Sequence, residues 1–476
     1  MAYQTVNPYT NEVVKTYSNA TDNDIERALS VTGNLFKSMK KQSISERSAI
    51  LHRIADAFRK NEDELARVAT VDMGKLLAES KGEVELCANI ADYFADNAER
   101  ILKPTEIETQ ANGYAYVEKQ ATGVLMLVEP WNFPYYQIMR VFAPNFMLGN
   151  PMILKGPSNT PASSAIFEQM VVKGGAPEGA LVNLFLGYDQ IGKIIQDSRV
   201  QGVALTGSER GGKAVAVEAA QSLKKTSMEL GGMDAFVVLD DANMKDVTNI
   251  SWRARLYNAG QVCTSSKRFI VMSNVYDEFL QALKHNFSSV KMGDPMLTST
   301  TLAPMNSKKA KDKLEGQVKD AVQSGATLYY GGHSVDDLTG QFFEPTIITD
   351  IDRNNPAYHT EMFGPVAQVY KVDSEEEAIE IANDSPYGLG GIVFSGDQKR
   401  GEKVASEIET GMVFVNNFMA SLPEIPFGGV KLSGYGREMS DLGMLAFANE
   451  KLIVSAKGPD LTNITGGLVA TQNLTK

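Results

Sequence analysis

Residues 123–155 read GVLMLVEPWNFPYYQIMRVFAPNFMLGNPMILK, and this stretch decides the fold class. The apolar run at residues 124–128 predicts a buried strand, residues 136–148 predict a helix, and residues 151–154 predict a second strand. The alternation continues downstream, with predicted helices at residues 160–173, 190–196 and 211–223 and predicted strands at residues 181–184, 202–205 and 235–239. Short strands that alternate with helices are typical of a parallel sheet covered on both faces. The sequence therefore predicts a doubly wound α/β domain.

A second α/β segment follows the glycine pair Gly231-Gly232 and extends to about Gly436. It contains predicted helices at residues 247–257 and 276–287 and a predicted strand at residues 268–272. Upstream of the first domain, residues 21–103 predict mostly helix, because residues such as those at 43–60 carry apolar side chains at helical spacing. We therefore expect two doubly wound α/β domains.

Two stretches outside these domains show the alternation of exposed strands, residues 114–119 and residues 451–455. Strands of this kind either pair with another subunit or form an internal hairpin, and the pattern favours neither arrangement. Residues 458–476 are polar and rich in Thr and Gly, so we expect partial disorder in this tail.

The composition excludes several classes of protein. With 476 residues, 43% apolar and 22% charged, the chain has the composition of a globular protein of two or three domains. Its net charge is −12 and no Lys/Arg cluster offsets it, so we expect no nucleic-acid or membrane binding. No apolar run approaches the roughly 20 residues of a membrane span and the first residues lack a secretory signal, which favours the cytoplasm. Two cysteines and four scattered histidines predict no disulfide framework and no metal site.

The stretch Asn258-Ala-Gly-Gln-Val-Cys-Thr-Ser-Ser-Lys-Arg268 joins a predicted helix to a predicted strand. Cys263 therefore lies on a connecting loop, where reactive groups are common, and Gly260 permits a close backbone approach beside the thiol. A lone cysteine is more often buried and inert. These residues alone do not choose between a reactive and an inert thiol.

Three further residues could act with that thiol. Glu229, where a predicted strand ends in two glycines, could project into a cleft as a general base. Asn132, in the stiff turn Pro130-Trp-Asn-Phe-Pro134, could donate amide hydrogens to an oxyanion. Glu361 lies in the turn-forming segment Glu361-Met-Phe-Gly-Pro365. Each could also have an ordinary role. Either glutamate could be a solvated surface acid, and Asn132 could simply form an Asx turn.

The chain carries no G-x-G-x-x-G fingerprint after a predicted strand. Instead a strand runs into Thr206-Gly-Ser-Glu-Arg-Gly-Gly212 and then a helix, so Gly207 and Gly212 could seat a pyrophosphate at the helix N-terminus. Lys155, at the end of another predicted strand, could bind a ribose or a phosphate. Glycine pairs before helices and lysines at strand ends are common without a ligand, so this signal is weak by itself.

Taken together, these segments resemble the aldehyde dehydrogenase family, and the resemblance covers nearly the whole chain. The motifs follow in order as Asn7-Pro-Tyr-Thr-Asn-Glu12, Pro130-Trp-Asn-Phe-Pro134, Leu154-Lys-Gly-Pro-Ser158, Thr206-Gly-Ser208, Glu229-Leu-Gly-Gly232, Asn258-Ala-Gly-Gln-Val-Cys263, Glu361-Met-Phe-Gly-Pro365, Asn383-Asp-Ser-Pro-Tyr-Gly-Leu389 and Pro426-Phe-Gly-Gly-Val-Lys-Leu-Ser-Gly434. So many motifs in one order are not a chance agreement.

The resemblance implies an aldehyde dehydrogenase-like fold, with two doubly wound α/β domains and a β oligomerisation arm. The nucleotide-binding domain would comprise residues 1–110 and 123–232, and the catalytic domain residues 233–440. The arm and tail would comprise residues 111–122 and 441–476. The family also implies a homodimer or a homotetramer.

The resemblance assigns chemistry to the matching residues. Cys263 would attack an aldehyde, Asn132 and the Cys263 backbone N–H would hold the oxyanion, and Glu229 would activate the water that hydrolyses the resulting thioester. The hydride acceptor is NAD or NADP. Residues implied to bind it are Trp131, Lys155, Ser158, Gly207, Ser208, Gly212, Leu230, Glu361 and Phe363. Residues implied to bind the substrate are Tyr136, Arg140 and Tyr257.

One departure from the family concerns the cofactor. Members that prefer NAD usually place a glutamate three residues after the strand-end lysine, where this chain has Ser158. A carboxylate there would repel the 2′-phosphate of NADP, whereas a small hydroxyl leaves room beside Lys155. Ser158 therefore predicts that NADP is accepted or preferred.

Within the family, the chain looks most like the bacterial succinate-semialdehyde dehydrogenases. Arg140 matches an arginine at the mouth of the substrate tunnel that could pair with a distal carboxylate. Many of these enzymes carry a second arginine where this chain has Tyr257, with Arg255 two residues earlier. Another aliphatic or aromatic aldehyde is therefore an alternative substrate, and Arg140 could also be an ordinary helix-surface residue.

Two rival hypotheses concern the chemistry itself. A non-catalytic structural protein could reuse the fold, but the intact set of catalytic residues argues against it. Acylating release to coenzyme A is disfavoured because Glu229 is present to activate water. Ser265 stands where some relatives carry a second cysteine, so no internal disulfide switch is expected.

Overall fold

The computed structural model describes residues 3–109 and 113–458. Its helices are α1 Asp22–Met39, α2 Ile44–Lys60, α3 Glu62–Met73, α4 Leu77–Leu102, α5 Tyr136–Leu148, α6 Pro161–Lys173, α7 Tyr188–Gln196, α8 Glu209–Gln221, α9 Met244–Leu256, α10 Ser273–Ser289, α11 Lys308–Gln323, α12 Glu375–Asn383, α13 Gln398–Glu407 and α14 Ser440–Leu445. Short 3-10 helices occur at Tyr257–Gly260 and Pro356–His359.

The strands in the first part of the chain are β1 Tyr3–Val6, β2 Val13–Tyr17, β3 Thr105–Ile107, β4 Gly113–Ala121, β5 Val124–Val128, β6 Met152–Lys155, β7 Leu181–Asn183, β8 Val200–Thr206 and β9 Lys225–Glu229. The later strands are β10 Asp234–Val238, β11 Ser266–Met272, β12 Thr327–Tyr330, β13 Thr346–Thr349, β14 Val366–Val372, β15 Tyr387–Gly388, β16 Gly390–Phe394, β17 Met412–Val415, β18 Val430–Lys431, β19 Gly434–Tyr435 and β20 Ala448–Ala456. Each predicted element has a counterpart within a few residues.

The first large sheet has the strand order β19-β9-β8-β5-β6-β7 and is parallel except for β19. Its central strand β5 is apolar on both faces because helices cover both. Leu125 and Leu127 pack in the core with α2, α4 and α5. Val124 and Met126 pack in the core with α1, α7 and α8. The predicted doubly wound architecture is confirmed, and the carboxyl ends of β5, β6, β8 and β9 meet at one edge.

The second large sheet has the order β12-β13-β14-β11-β10-β16-β17 and is parallel except for the β12–β13 pair. Its strand β10 alternates between two cores in the same way. Ala235 and Val237 face one core, and Phe236 and Val238 face the other. The second predicted α/β unit is therefore also present. It begins directly after the glycine pair that follows β9.

The two exposed strands predicted from alternation pair with each other. Strand β4 lies antiparallel to β20 along its whole length, from Gly113 opposite Ala456 to Ala121 opposite Ala448, and β3 pairs with the other edge of β4. Within the chain the two strands therefore pair with each other, and pairing with another subunit stays a prediction. The predicted disorder after Gly458 falls on residues 459–476, which lie outside the described residues.

Strand β19 crosses the domain boundary that the resemblance implied. Its residues Gly434 and Tyr435 pair antiparallel with Glu229 and Met228, so this late segment extends the first sheet. Among residues 3–109 and 113–458, we find no helix that combines the length and the apolar character needed to cross a membrane.

Candidate active site

Cys263 lies on the connection between the 3-10 helix Tyr257–Gly260 and strand β11. The main chain before it is left-handed at Asn258, Ala259 and Gly260, with φ of 52°, 52° and 72°. A Cβ at Gly260 would lie 2.4 Å from the carbonyl oxygen of Gly364, so only glycine permits this approach. The Cys263 loop (residues 258–265) therefore lies directly against the turn at residues 361–365.

Arg255, near the end of α9, holds the Cys263 loop and that turn together. Its fully buried guanidinium donates hydrogen bonds to the carbonyl oxygens of Val366 (2.5 Å), Met362 (2.7 Å) and Gly260 (3.2 Å) and to the Ser265 hydroxyl (2.6 Å), and it contacts the carbonyl of Gly364. Burial lowers the pKa of Arg255 to about 9. Because its donors are used in this way, Arg255 is not available to a substrate carboxylate.

Two cavities meet at Cys263. The smaller has a volume of about 170 Å³ and is bounded by aromatic side chains, which are Phe133, Tyr136, Tyr257, Phe418 and Phe427. The larger has a volume of about 490 Å³ and extends to the ends of β5 and β6 and the start of α8. Cys263 and Gln137 line both cavities. A thiol at this junction can meet a small molecule from one side and a nucleotide from the other.

The larger cavity brings together most residues that the resemblance implied for the cofactor. They are Trp131, Lys155, Ser158, Gly207, Ser208, Leu230, Glu361 and Phe363. Trp131 and Phe363 lie edge to face, with ring centroids 5.7 Å apart. Gly212 is not part of this wall, but a Cβ there would lie 2.6 Å from Leu230, which is. Gly212 therefore allows α8 to pack closely against Leu230, and its expected role in seating a ligand stays a prediction.

Helix α8 points its N-terminus at the larger cavity. It begins at Glu209, two residues before the predicted start, because the Ser208 hydroxyl accepts a hydrogen bond from the Gly211 backbone N–H at 3.3 Å and caps it. Ser208 and Gly211 both line the cavity. Unpaired backbone N–H groups and the helix dipole give this end partial positive charge, which suits an anion.

Lys155, the last residue of β6, is a buried cation in the wall of the larger cavity. Its side chain is only 7% exposed, and its Nζ lies 6.0 Å from the ring centroids of Tyr3 and Tyr188. Burial lowers the pKa of Lys155 to about 8, and no carboxylate among residues 3–109 and 113–458 forms an ion pair with it. An anionic ligand in this cavity would therefore gain a partner that the protein itself does not neutralise.

Asn132 is buried beside the Cys263 loop and lines the larger cavity. Its amide nitrogen Nδ2 donates to the carbonyl oxygen of Gln261 at 3.0 Å, and its own main-chain carbonyl oxygen accepts from Asn258 Nδ2 at 2.9 Å. Both bonds cross to the Cys263 loop, so Asn132 is tied to the nucleophile. The amide carries a second hydrogen that can serve an oxyanion.

Glu229 ends β9, but its carboxylate is turned inward. The side chain is 1% exposed, and neither oxygen has a hydrogen-bond donor among the described residues. Burial, and then the nearby Glu438 carboxylate, raise the pKa of Glu229 well above its ordinary value, while Arg140 opposes this rise. The sequence predicted a carboxylate that projects into a cleft. Instead, the side chains of Glu129, Glu229 and Glu438 form a buried cluster around one arginine.

That arginine is Arg140, whose predicted position at a tunnel mouth is wrong. Its side chain is fully buried, forms an ion pair with Glu438, and donates to Thr206 Oγ1 at 3.1 Å and Tyr136 Oη at 3.3 Å. Its guanidinium also lies 4.3 Å from the centroid of the Phe427 ring. Arg140 therefore stands one layer behind the smaller cavity. The ordinary interpretation, a helix-surface arginine, is also wrong.

The wall of the smaller cavity contains a hydroxyl pair that sequence reasoning missed. Tyr136 Oη donates to Ser421 Oγ at 2.9 Å, and both residues line the cavity with Tyr257. Ser421 comes from a segment after β17 that carries no motif. Its proximity to Tyr136, 285 residues earlier, has no local sequence signal.

The Cys263 thiol is only partly exposed between the two cavities. Burial raises the pKa of Cys263 to about 11, and the cations of Arg140 and Lys267 act against this rise. The carboxylates of Asp234 and Glu361 reinforce it. At neutral pH the group is therefore a thiol in this structure, and its use as a nucleophile requires loss of the proton.

Comparisons with known proteins agree with this geometry. A family model described as the aldehyde dehydrogenase family matches residues 1–453. A succinate-semialdehyde dehydrogenase [NADP(+)] from Deinococcus radiodurans is 44% identical over 95% of this chain and 94% of its own length. The crystal structure of succinic semialdehyde dehydrogenase from Streptococcus pyogenes, in complex with NADP+, has 53% identity and a TM-score of 0.94, with 96% of this chain and 100% of that chain covered. Betaine aldehyde dehydrogenase from Staphylococcus aureus, in complex with NAD+, has 31% identity and a TM-score of 0.93 over 98% of this chain and 94% of that chain.

Proposed function

Because the chain belongs to the aldehyde dehydrogenase family, we propose that it oxidises succinate semialdehyde to succinate with NADP+ as the preferred hydride acceptor. The observation that carries this proposal is the position of Cys263 at the junction of an aromatic pocket and a nucleotide-sized cavity. The named relatives that act on succinate semialdehyde with NADP+ support the choice of substrate and cofactor.

Different residues of the protein serve different steps of the reaction. The Cys263 sulfur attacks the aldehyde carbon to give a thiohemiacetal, and the oxyanion accepts hydrogen bonds from the Asn132 amide and the Cys263 backbone N–H. A nicotinamide dinucleotide in the larger cavity would supply the hydride acceptor for oxidation of this adduct to a thioester. Glu229 then removes a proton from the water that hydrolyses the thioester. Glu229 must rotate out of its buried cluster to do this, since its carboxylate lies against Gly428 in the structure.

The residues that line the larger cavity suit the parts of a dinucleotide. The Lys155 ammonium and Ser158 would hold the adenosine ribose and its 2′-phosphate, and the N-terminus of α8 with Gly207 and Ser208 would hold the pyrophosphate. Glu361 and Phe363 would hold the nicotinamide ribose, with Trp131 and Leu230 beside the ring. An uncompensated cation at Lys155, without a carboxylate at Ser158, favours the extra phosphate of NADP.

The smaller cavity fits a short chain with a polar end. The hydroxyls of Tyr136 and Ser421 can bind a distal carboxylate, and the Arg140 guanidinium holds the Tyr136 hydroxyl from one layer behind. Because Glu438 already neutralises Arg140, the affinity for that carboxylate rests mainly on the two hydroxyls. The aromatic wall, which includes Phe133 and Phe418, favours aliphatic or aromatic aldehydes as a second class of substrate.

A substrate panel tests the proposal. The purified protein is assayed for NADPH formation with succinate semialdehyde, butyraldehyde and benzaldehyde, and Ser421→Ala and Tyr136→Phe are assayed beside the wild type. We expect both substitutions to raise KM for succinate semialdehyde and to leave KM for butyraldehyde unchanged, because only the former has a carboxylate. Equal kcat/KM for the three aldehydes in the wild type would defeat the assignment of succinate semialdehyde.

We also propose the domain boundaries, the assembly and the location. Residues 1–110 and 123–232 would form the nucleotide-binding domain and residues 233–440 the catalytic domain, a division supported by the two separate large sheets. Residues 111–122 and 441–476, which contain β4 and β20, would serve as an oligomerisation arm and tail in a homodimer or homotetramer, since Tyr114, Leu452 and Val454 are exposed on these strands. A reducing cytoplasm suits a free nucleophilic thiol.

A further inference from the structure

Lys267 connects the two sides of the site and takes no part in the proposed reaction steps. It lies on β11, four residues after Cys263, and its side chain is 1% exposed. Its ammonium nitrogen donates to the carbonyl oxygens of Cys263 at 2.7 Å, Val262 at 2.9 Å and Ser265 at 3.4 Å. The ammonium thus stands directly behind the main chain that carries the thiol.

The same ammonium reaches a residue in the wall of the larger cavity. Lys267 Nζ lies 3.3 Å from Glu361 Oε1, and this oxygen also accepts the Gly232 backbone N–H at 3.1 Å. Glu361 lines the larger cavity beside Phe363, whose ring centroid is 5.9 Å from Lys267 Nζ. A ligand hydroxyl that binds the Glu361 carboxylate from the cavity would compete with Lys267 for it.

Few charged side chains lie near the Cys263 thiol and the Lys267 ammonium. The thiol of Cys263 is faced by the cations Arg140 and Lys267, the carboxylates Asp234 and Glu361, and the phenol of Tyr136. The Lys267 ammonium is faced by Glu361, Asp234, Arg255 and Cys263. Arg140 is already paired with Glu438, and Arg255 is bound to main-chain oxygens. Lys267 is therefore the cation whose pairing can respond to occupancy of the larger cavity.

We propose that Lys267 is a positioning residue that couples nucleotide binding to activation of the Cys263 thiol, a proposal that rests on the proposed function. In the structure its charge is shared with Glu361. When ribose hydroxyls of the dinucleotide engage the Glu361 carboxylate, more of the positive field of Lys267 acts on the sulfur, and the thiol releases its proton to solvent. The nucleophile is then formed mainly when the hydride acceptor is in place, which limits side reactions of a free thiolate.

The test is a titration of the thiol with and without NADPH. The reduced nucleotide carries the same ribose hydroxyls but no positive nicotinamide ring, so a shift cannot come from ring charge. The rate of alkylation by iodoacetamide is measured against pH, and mass spectrometry confirms modification of Cys263, since Cys87 is fully buried. The wild type is compared with Lys267→Met, Lys267→Arg and Glu361→Gln, and with Lys309→Met as a control at an exposed lysine.

With NADPH bound, the alkylation midpoint of the wild type should fall by about one pH unit, which is about tenfold more thiolate at a fixed pH below the midpoint. Lys309→Met and Lys267→Arg should show the same shift, and Lys267→Met should show none. Without nucleotide, Glu361→Gln should titrate near the NADPH-bound midpoint of the wild type and move little further. Because the Glu361 carboxylate also raises the pKa of Cys263 directly, the role of Lys267 is decided by the lysine variants; if Lys267→Met does not fold, Lys267→Gln replaces it and should likewise show no shift with NADPH.

Three results would overturn the proposal. They are an unchanged wild-type midpoint at saturating NADPH, a full shift in Lys267→Met, or a wild-type midpoint in nucleotide-free Glu361→Gln. Binding of NADPH is followed separately by its fluorescence. A protein that does not bind NADPH at all would refute the proposed function itself, and the coupling with it, so the two failures are distinguishable.

Discussion

The affinity for NADP+ should depend on pH through Lys155. This lysine is 7% exposed, and the part of the chain that the structure describes offers it no ion pair. Burial holds its pKa at about 8 in the free protein. A bound 2′-phosphate would stabilise the ammonium and return its pKa to the ordinary value of about 10.4 or higher. The nucleotide therefore binds the protonated form, and deprotonation of Lys155 opposes binding.

The size of this pH effect follows from the thermodynamic linkage between proton binding and NADP+ binding. Below about pH 8 the lysine is charged in both states, so the dissociation constant is flat. Above that pH the free protein loses the proton that the complex keeps, and the dissociation constant rises about tenfold per pH unit. Between about pH 7 and pH 9 we expect roughly a tenfold weakening of NADP+ binding, which corresponds to about 1.4 kcal/mol.

The assay is titration of the protein with NADP+ by calorimetry across this pH range. Lys155→Met should bind NADP+ weakly and with a flat pH dependence, because the titrating group is gone. Lys371→Met, at an exposed lysine of β14, is the matched control and should behave as the wild type. NAD+, which meets Lys155 with neutral hydroxyls, should show a smaller slope. A dissociation constant for NADP+ that is unchanged between pH 7 and pH 9 would refute this reasoning.

Three further outcomes are expected. Ser158→Glu should change the ratio of kcat/KM for NADP+ to kcat/KM for NAD+ by about 10²-fold or more in favour of NAD+. Two unit charges about 4 Å apart near a protein surface repel by about 4 kcal/mol, so the new carboxylate opposes the 2′-phosphate. An unchanged ratio would contradict this. Asn132→Ala should lower kcat by about 10²–10³-fold with little change in the dissociation constant of NADP+, because it removes an oxyanion donor; steady-state kinetics beside nucleotide titration separates the two effects. Gly260→Ala should lower the free energy of unfolding by about 1–3 kcal/mol in urea denaturation, because a Cβ would meet the Gly364 carbonyl at positive φ. Its control, Gly316→Ala in α11, meets no atom within 4 Å and should change stability by at most about 1 kcal/mol in the stabilising direction.

The fold was predictable because its signals are local. The apolar run of β5 and the helix α5 lie at their predicted bounds, and β5 is recognisable as a continuous apolar run because a strand buried on both faces leaves no polar positions. The predicted start of α8 is wrong by two residues because a Ser208 cap, rather than the glycine pair, sets it. The pairing of β4 with β20 could not be chosen from the pattern, because more than 300 residues separate the partners and nothing local specifies them.

The candidate site was predictable only in part. Cys263, Asn132 and Lys155 lie in motifs, and the structure brings all three to the larger cavity. The orientation of Arg140 was not predictable, because it depends on Glu438, nearly 300 residues later in the chain. The same holds for the inward turn of Glu229 and for the Tyr136–Ser421 hydroxyl pair. A motif identifies which residue types are present, whereas long-range packing decides where the charged ends point.

The most direct test of the account is to trap the intermediate on Cys263. Glu229→Gln is mixed with NADP+ and succinate semialdehyde, quenched in acid, digested and analysed by mass spectrometry. Because hydrolysis is slowed, the account predicts one equivalent of NADPH and a succinyl group on the peptide that contains Cys263, and neither product in Cys263→Ser. Continued NADPH formation by Cys263→Ser, or a full burst in Glu229→Gln with no modified cysteine, would contradict it.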